Sequence, residues 1–136
     1  MGTGSALSFA LGLAASLAVL PAAAQDAPKP RSFSSGYSFV ETSGEELFVN
    51  ICQGCHMPDA MGATGAGTYP SLASNPNLEA GGYPTYLVLH GRRAMPPFGE
   101  MLSDDQIAAV VNYVRTHFGN NFSDAVTAGD VKDARR

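Results

Sequence analysis

The sequence predicts an all-α domain of short helices joined by long irregular loops, and three observations carry that prediction. Two capping boxes, Ser43 with Glu46 and Ser103 with Gln106, each stand directly before apolar residues at helical spacing. No segment alternates apolar and polar residues as a half-buried strand does. The stretches between the helices are rich in glycine and proline, and loops of that length in a small domain are expected to wrap something other than themselves.

The 136 residues suggest one domain behind an export segment. Residues 6–20 are apolar and small, no charge precedes Asp26, and Pro21 leads into Ala22, Ala23 and Ala24. This is the apolar region and small-residue cleavage site of a secretory signal peptide, so residues 1–24 are expected to be removed after Ala24. The first five residues carry no Lys or Arg, unlike most signal peptides. An uncleaved anchor is the alternative, but a membrane span needs about 20 apolar residues and this run is shorter. No membrane insertion is expected after cleavage. Residues 25–41, rich in Pro, Ser and Gly, read as a flexible leader in which Phe33, Tyr37 and Phe39 are able to pack on the domain.

The first helix starts at Ser43, and Leu47, Phe48 and Ile51 form its apolar face. Residues 57–69, with Gly62, Gly65 and Gly67, have no periodicity and read as a loop. Pro84 suits the first position of a second helix that carries Tyr86, Leu87 and His90 and closes at Gly91. Residues 92–101 contain Pro96, Pro97 and Gly99 and read as irregular. After Ser103, Ile107, Val110, Val111 and Val114 recur at i, i+3, i+4, i+7, with Gly119 expected as a C-terminal cap. The domain is expected over residues 42–118. Residues 119–136 form a tail in which Thr127 to Asp130 caps a turn or two.

The formal charge of −4 arises from twelve acidic and eight basic residues, all after residue 24. That balance argues against nucleic acid or an anionic membrane as partner. So small a core needs a staple or a large apolar body to fold around.

The only two cysteines stand in the run Cys52-Gln53-Gly54-Cys55-His56. Cys-x-x-Cys-His is the attachment sequence of c-type haem. Two thiols at that spacing add across the two porphyrin vinyls, and the adjacent histidine is carried under the ring as proximal iron ligand. A thioredoxin-type dithiol would lie at a helix N-terminus after a strand, whereas this run ends a helix. A zinc site from both cysteines with His90 and His117 lacks structural-site spacing, and the Cys55-His56 adjacency is awkward for a tetrahedron. The glycine-rich loop has no Walker lysine, which argues against nucleotide binding.

With these motifs in place, residues 42–118 resemble the class I monohaem cytochromes c. The segments Ala94-Met95-Pro96-Pro97-Phe98-Gly99 and Leu102-Ser103-Asp104-Asp105-Gln106-Ile107 look especially like cytochrome subunits and electron acceptors of periplasmic dehydrogenases. The resemblance implies a cytochrome c fold, with short helices and irregular loops wrapped around one covalently bound haem c and its iron, and with the N- and C-terminal helices crossing. It implies thioethers at Cys52 and Cys55, proximal ligation by His56 and distal ligation by Met95. Pro70 falls where the family uses a proline carbonyl to accept the histidine Nδ1–H, a bond that fixes the ring and raises its basicity. Gly44 and Phe48 match positions that meet an aromatic of the last helix, here Tyr113.

Met101 competes with Met95 for the distal position, while Met57 and Met61 lie too near His56 in sequence. The Met95-Pro96 context favours Met95, because a proline's fixed φ suits a rigid ligand loop. His90 and His117 read as a polar helix residue and a helix-end cation. Arg93, beside Arg92, suits pairing with a haem propionate or a solvated role. An imidazole with a soft thioether favours the reduced iron relative to two nitrogen ligands.

The expectation is therefore an exported, periplasmic electron carrier, not an enzyme. It would take single electrons from a periplasmic dehydrogenase and pass them to an oxidase or another cytochrome of the respiratory chain. The alternatives are a fixed cytochrome subunit of a dehydrogenase complex, and a haem enzyme or gas-binding protein with an open sixth position.

Overall fold

The computed structural model describes residues 1–2, 38–65 and 67–136. The expected signal peptide and the leader up to residue 37 lie outside the described residues, apart from residues 1–2. The chain divides into two units, Met1–Arg31 and Ser32–Arg136, and every element below belongs to the second.

At Ser43 the backbone is extended (φ −87°, ψ 148°) and the side-chain oxygen accepts the Glu46 N–H at 3.2 Å. The Ser43 hydroxyl in turn donates to the Glu46 carboxylate at 3.0 Å, so the acid tethers the capping residue through its side chain. The helix that follows has three parts: α1 (Gly44–Leu47), a π-helical turn (Phe48–Cys52) and α2 (Gln53–His56). A widened turn of this kind re-aims the side chains beyond it. It ends at Met57, where φ reaches +65°.

Next comes a small antiparallel ribbon, β1 (Ala63–Thr64) with β2 (Thr68–Tyr69), in register Ala63 to Tyr69. It lies in the segment expected to be loop, since two residues per strand are too few to show alternation. A 3₁₀ turn (Pro76–Leu78) leads to α3 (Gly82–His90). Pro84 is the third residue of α3 and not the first, which costs no hydrogen bond because the first four N–H groups of a helix have no partner inside it. Gly91 closes α3 at φ +68°.

Helix α4 (Asp104–Thr116) carries the predicted stripe. Ile107, Val110, Val111 and Val114 are all buried, and both arms of the Ser103–Gln106 box are formed. The helix stops at Thr116, before the expected cap. His117 Nδ1 donates to the Tyr113 carbonyl at 2.9 Å, the Thr116 hydroxyl donates to that of Asn112 at 2.8 Å, and Gly119 takes φ +80° beyond them.

The crossing of α1 on α4 organises the core. A Cβ placed on Gly44 would lie 2.2 Å from the Ala109 carbonyl oxygen and 2.6 Å from Tyr113 Cβ. The missing side chain lets the helices touch, and Phe48 then packs tilted against Tyr113 and Phe118 with centroids at 5.8 and 4.7 Å. Gly44→Ala is expected to cost about 2–3 kcal/mol by overpacking, read as a lowered urea midpoint. An unchanged midpoint would show that the crossing tolerates a methyl group.

The segment after residue 119 is packed. Val126 and Val131 are buried, and Asn112 grips the Val126 backbone by donating to its carbonyl and accepting its N–H, both at 2.8 Å. Helix α5 (Ala128–Ala134) follows, with a complete Thr127–Asp130 capping box. Hydrogen bonds from Thr127 hold the Asp130 carboxyl below the usual carboxylate range.

Candidate haem-binding site

Two parts of the chain build the site, and each is held in shape by backbone geometry. The first contains the thiols and the imidazole. Cys52 ends the π-helical turn and packs against the core, whereas Cys55 sits exposed on α2. Both thiols are free. Burial, with a smaller contribution from neighbouring Cys55, pushes the Cys52 thiol up to about 12, which marks its surroundings as apolar.

His56 is the last residue of α2, and its Nδ1 lies 2.9 Å from the Pro70 carbonyl oxygen. A carbonyl only accepts, so Nδ1 carries the proton and Nε2 the lone pair. The loop that returns Pro70 to His56 is pinned by the Gly62 N–H, which donates to the His56 carbonyl at 3.0 Å. Gly62 has φ +71°, and a Cβ there would fall 2.2 Å from the Tyr69 carbonyl oxygen. Glycine is required at that position if Pro70 is to reach the imidazole.

The second part contains Met95. The Arg92 N–H donates to the Met95 carbonyl and the Met95 N–H to that of Arg92, both at 3.0 Å. This closes a tight turn with Arg93 and Ala94 at its tip, and Arg93 is exposed at φ +56°. The turn is fastened to α3 where the Phe98 N–H reaches the Val88 carbonyl (2.9 Å) and the Gly99 N–H reaches that of Leu89 (3.2 Å). Arg92 also donates to the Tyr83 hydroxyl at 3.3 Å. Met95 is half-buried, as is Met101.

The residues present fit a covalently held haem. Two free thiols lie about one helical turn apart, and the neighbouring imidazole keeps Nε2 for a metal. Exposed apolar side chains accompany both parts: Met61 (61%) and Tyr69 (38%) beside the Pro70 loop, Tyr83 (41%) and Tyr86 (55%) on α3. Such surface is what an apolar macrocycle is suited to cover.

Other candidates are drawn elsewhere. His117 stacks on Tyr113 at 4.1 Å, and His90 packs on Tyr86 and lies 3.3 Å from the Ala134 carbonyl oxygen. Among the described residues no three His, Cys, Asp or Glu side chains gather as a metal site, and no helix is long and apolar enough to cross a membrane.

The supporting residues that sequence reasoning missed are polar and buried. Asn120 accepts the Asn75 N–H at 2.9 Å and donates to the Leu72 and Val114 carbonyls, both at 2.8 Å, which ties the segment after Pro70 to α4. Arg115, fully buried, donates to the carbonyls of Leu78, Glu79 and Asp124 and to the Asp124 carboxylate. A signal for it existed: Ile107, Val111 and Arg115 follow at intervals of four, which puts the arginine on the buried stripe.

Residues 40–114 match the protein family described as cytochrome c oxidase, cbb3-type, subunit III. Curated relatives include the cytochrome c subunit of alcohol dehydrogenase (quinone) from Gluconacetobacter polyoxogenes, 38% identical over 106 residues, covering 68% of this chain and 22% of that protein. The gluconate 2-dehydrogenase cytochrome c subunit of Pantoea cypripedii is 32% identical over 106 residues, covering 69% of this chain and 24% of the subunit. Cytochrome c6 of Diacronema lutheri is 32% identical over 80 residues, covering 57% of this chain and 95% of that protein. The chain thus spans 22% to 24% of the length of the two dehydrogenase subunits and most of the small cytochrome.

Proposed function

Because the chain belongs to the cbb3-type cytochrome c oxidase subunit III family, we propose that Cys52 and Cys55 attach its haem c and that His56 and Met95 ligate the iron. The protein is an electron-carrying c-type cytochrome. When bound, the haem supplies a one-electron couple between ferrous and ferric iron. The chain's own residues supply its position.

The observation that carries this reading is the His56–Pro70 hydrogen bond at 2.9 Å. It fixes the imidazole plane and adds electron density to the ring, which strengthens Nε2 as a donor. In the second part of the site, the Arg92–Met95 bridge and the α3 fastening hold Met95 on a short turn, which would keep its thioether in place as a ligand. Arg93, exposed at the tip of that turn, would be free to pair with a haem propionate.

The test is the methionine-to-ferric charge-transfer band in the visible spectrum. Met95→Ala is expected to abolish it and Met101→Ala to keep it. A band that survives in Met95→Ala would move the assignment to another residue. A five-coordinate, high-spin ferric spectrum in the unaltered protein would favour the open-site alternative.

The protein is exported to the periplasm through the apolar segment at residues 6–20, and it relays electrons from a periplasmic dehydrogenase to an oxidase or another cytochrome without substrate chemistry of its own. Similarity to dehydrogenase cytochrome subunits supports the donor class. That similarity also favours a second reading, a fixed subunit of such an enzyme. Transient redox encounters are small and salt-sensitive, so co-purification with a dehydrogenase in high salt separates the fixed subunit from the shuttle.

A further inference from the structure

We infer that Arg135, following α5, is a positioning residue for the distal ligand, because it grips the base of the loop that carries Met95. Its guanidinium donates through Nη1 to the Gly99 carbonyl at 2.5 Å and through Nη2 to the Leu102 carbonyl at 2.8 Å, while Nε donates to the Asp104 carboxylate at 2.5 Å. All three acceptors lie where the methionine loop passes into α4. The planar fork of arginine reaches several acceptors at fixed angles, and lysine cannot do the same.

The grip closes a ring of attachments. Gly99 is held on one side through its N–H by Leu89 of α3 and on the other through its carbonyl by Arg135. Phe98 accepts the Met101 and Leu102 N–H groups, both at 2.9 Å, so a shift at Leu102 is passed back towards the turn. Arg135 is itself anchored by α5, whose Val131 is fully buried and whose Ala134 carbonyl faces His90 of α3. A segment more than thirty residues from the ligand in sequence therefore sets how often the loop lifts. The inference rests on the assignment of Met95.

The experiment is competition by exogenous imidazole on the ferric holoprotein. A small ligand that enters only when methionine is off reports the open fraction, because its apparent affinity scales with that fraction. Arg135→Gln is expected to tighten apparent imidazole binding by about tenfold, Arg135→Lys by less. Hydrogen exchange at the Met95, Phe98 and Gly99 amides should quicken in parallel, a readout independent of the iron. Val114→Ala, which lowers stability from the opposite end of α4, is the control. If Arg135→Gln and Val114→Ala change imidazole affinity and loop exchange only in proportion to their losses of global stability, the inference is overturned and Arg135 is merely structural. Met95→Ala, measured alongside, separates the two claims. A charge-transfer band that survives there overturns the ligand assignment and this inference with it. A band lost there, with imidazole affinity unmoved in Arg135→Gln, overturns the inference alone.

Discussion

Arg115→Met is expected to destabilise the domain by about 3–5 kcal/mol, because it breaks a buried charged network from one side. That is a large part of the 5–15 kcal/mol typical of a whole domain. The guanidinium is fully buried and donates to Leu78 at 2.8 Å, to Glu79 and the Asp124 carboxylate at 2.6 Å each, and to the Asp124 carbonyl. Methionine replaces the volume and none of the donors, so the carbonyls at the end of the 3₁₀ turn lose their partner. Arg115→Lys keeps the charge without the fork and should recover less than half of the loss. Chemical denaturation measures both, and a loss below 1 kcal/mol for Arg115→Met would show that water replaces the network freely.

The same network has a pH signature. The hydrogen bond from Arg115 holds the Asp124 carboxyl below its ordinary value of 3.8. Its contribution is therefore complete above pH 4 or so and fades as pH falls through the lowered folded value. The Asp124 side chain is largely exposed, so salt weakens the contribution. Asp124→Asn should flatten that part of the acid unfolding curve and leave behaviour near neutral pH governed by the carbonyl bonds.

Gly91→Ala is expected to remove the methionine-to-ferric band and to lower stability by about 2–3 kcal/mol. Gly91 sits at φ 68°, ψ 173°, a conformation that residues with a Cβ rarely adopt. A Cβ there would lie 2.5 Å from the Met95 carbonyl oxygen, 2.7 Å from Pro97 N and 2.8 Å from Pro96 C. All three are backbone atoms of Met95 and the two prolines that follow it, so no side chain is able to swing aside. The turn must be rebuilt, and the thioether moves with it. Gly82→Ala is the contrasting case, since a Cβ there meets nothing within 4 Å and the variant should be at least as stable as the parent. A Gly91→Ala protein with its band intact would show that the turn does not set the methionine's position.

The parts legible in the sequence were those governed by local chemistry. Ser43, Ser103 and Thr127 announce helix starts because a capping side chain answers to N–H groups within its own turn. The Cys52–His56 run stands out in the sequence because the c-type haem attachment pattern has a fixed spacing. Pro70 could be named through resemblance to a family, and the structure brings its carbonyl to His56; nothing local in the residues foretells a contact fourteen positions away. What stayed hidden depends on distant chain. The π-helical turn at Phe48–Cys52 has no sequence periodicity of its own, and Val126 and Val131 look like tail residues until α4 is there to receive them. Nothing local in the residues marks Arg135, and only the return of α5 towards Gly99 gives it partners.

The long-range ties at the start of the domain govern the order of assembly. Gln106 Oε1 accepts the Ser103 N–H within the capping box, while its Nε2 donates to the carbonyls of Phe39 and Glu41, across 67 and 65 residues of sequence. Closing a loop of that length costs about 3–4 kcal/mol of chain entropy before any contact repays it. Helix α1 has no surface to pack on until α4 has emerged, so folding is governed by non-local closure and is slow for so small a helical domain. Until α4 arrives, the apolar face of α1, Leu47 and Phe48, stays open to solvent, while Cys55 remains exposed even in the folded chain. A chain that stops short of Ser103 would leave Leu47 and Phe48 without the helix they pack on.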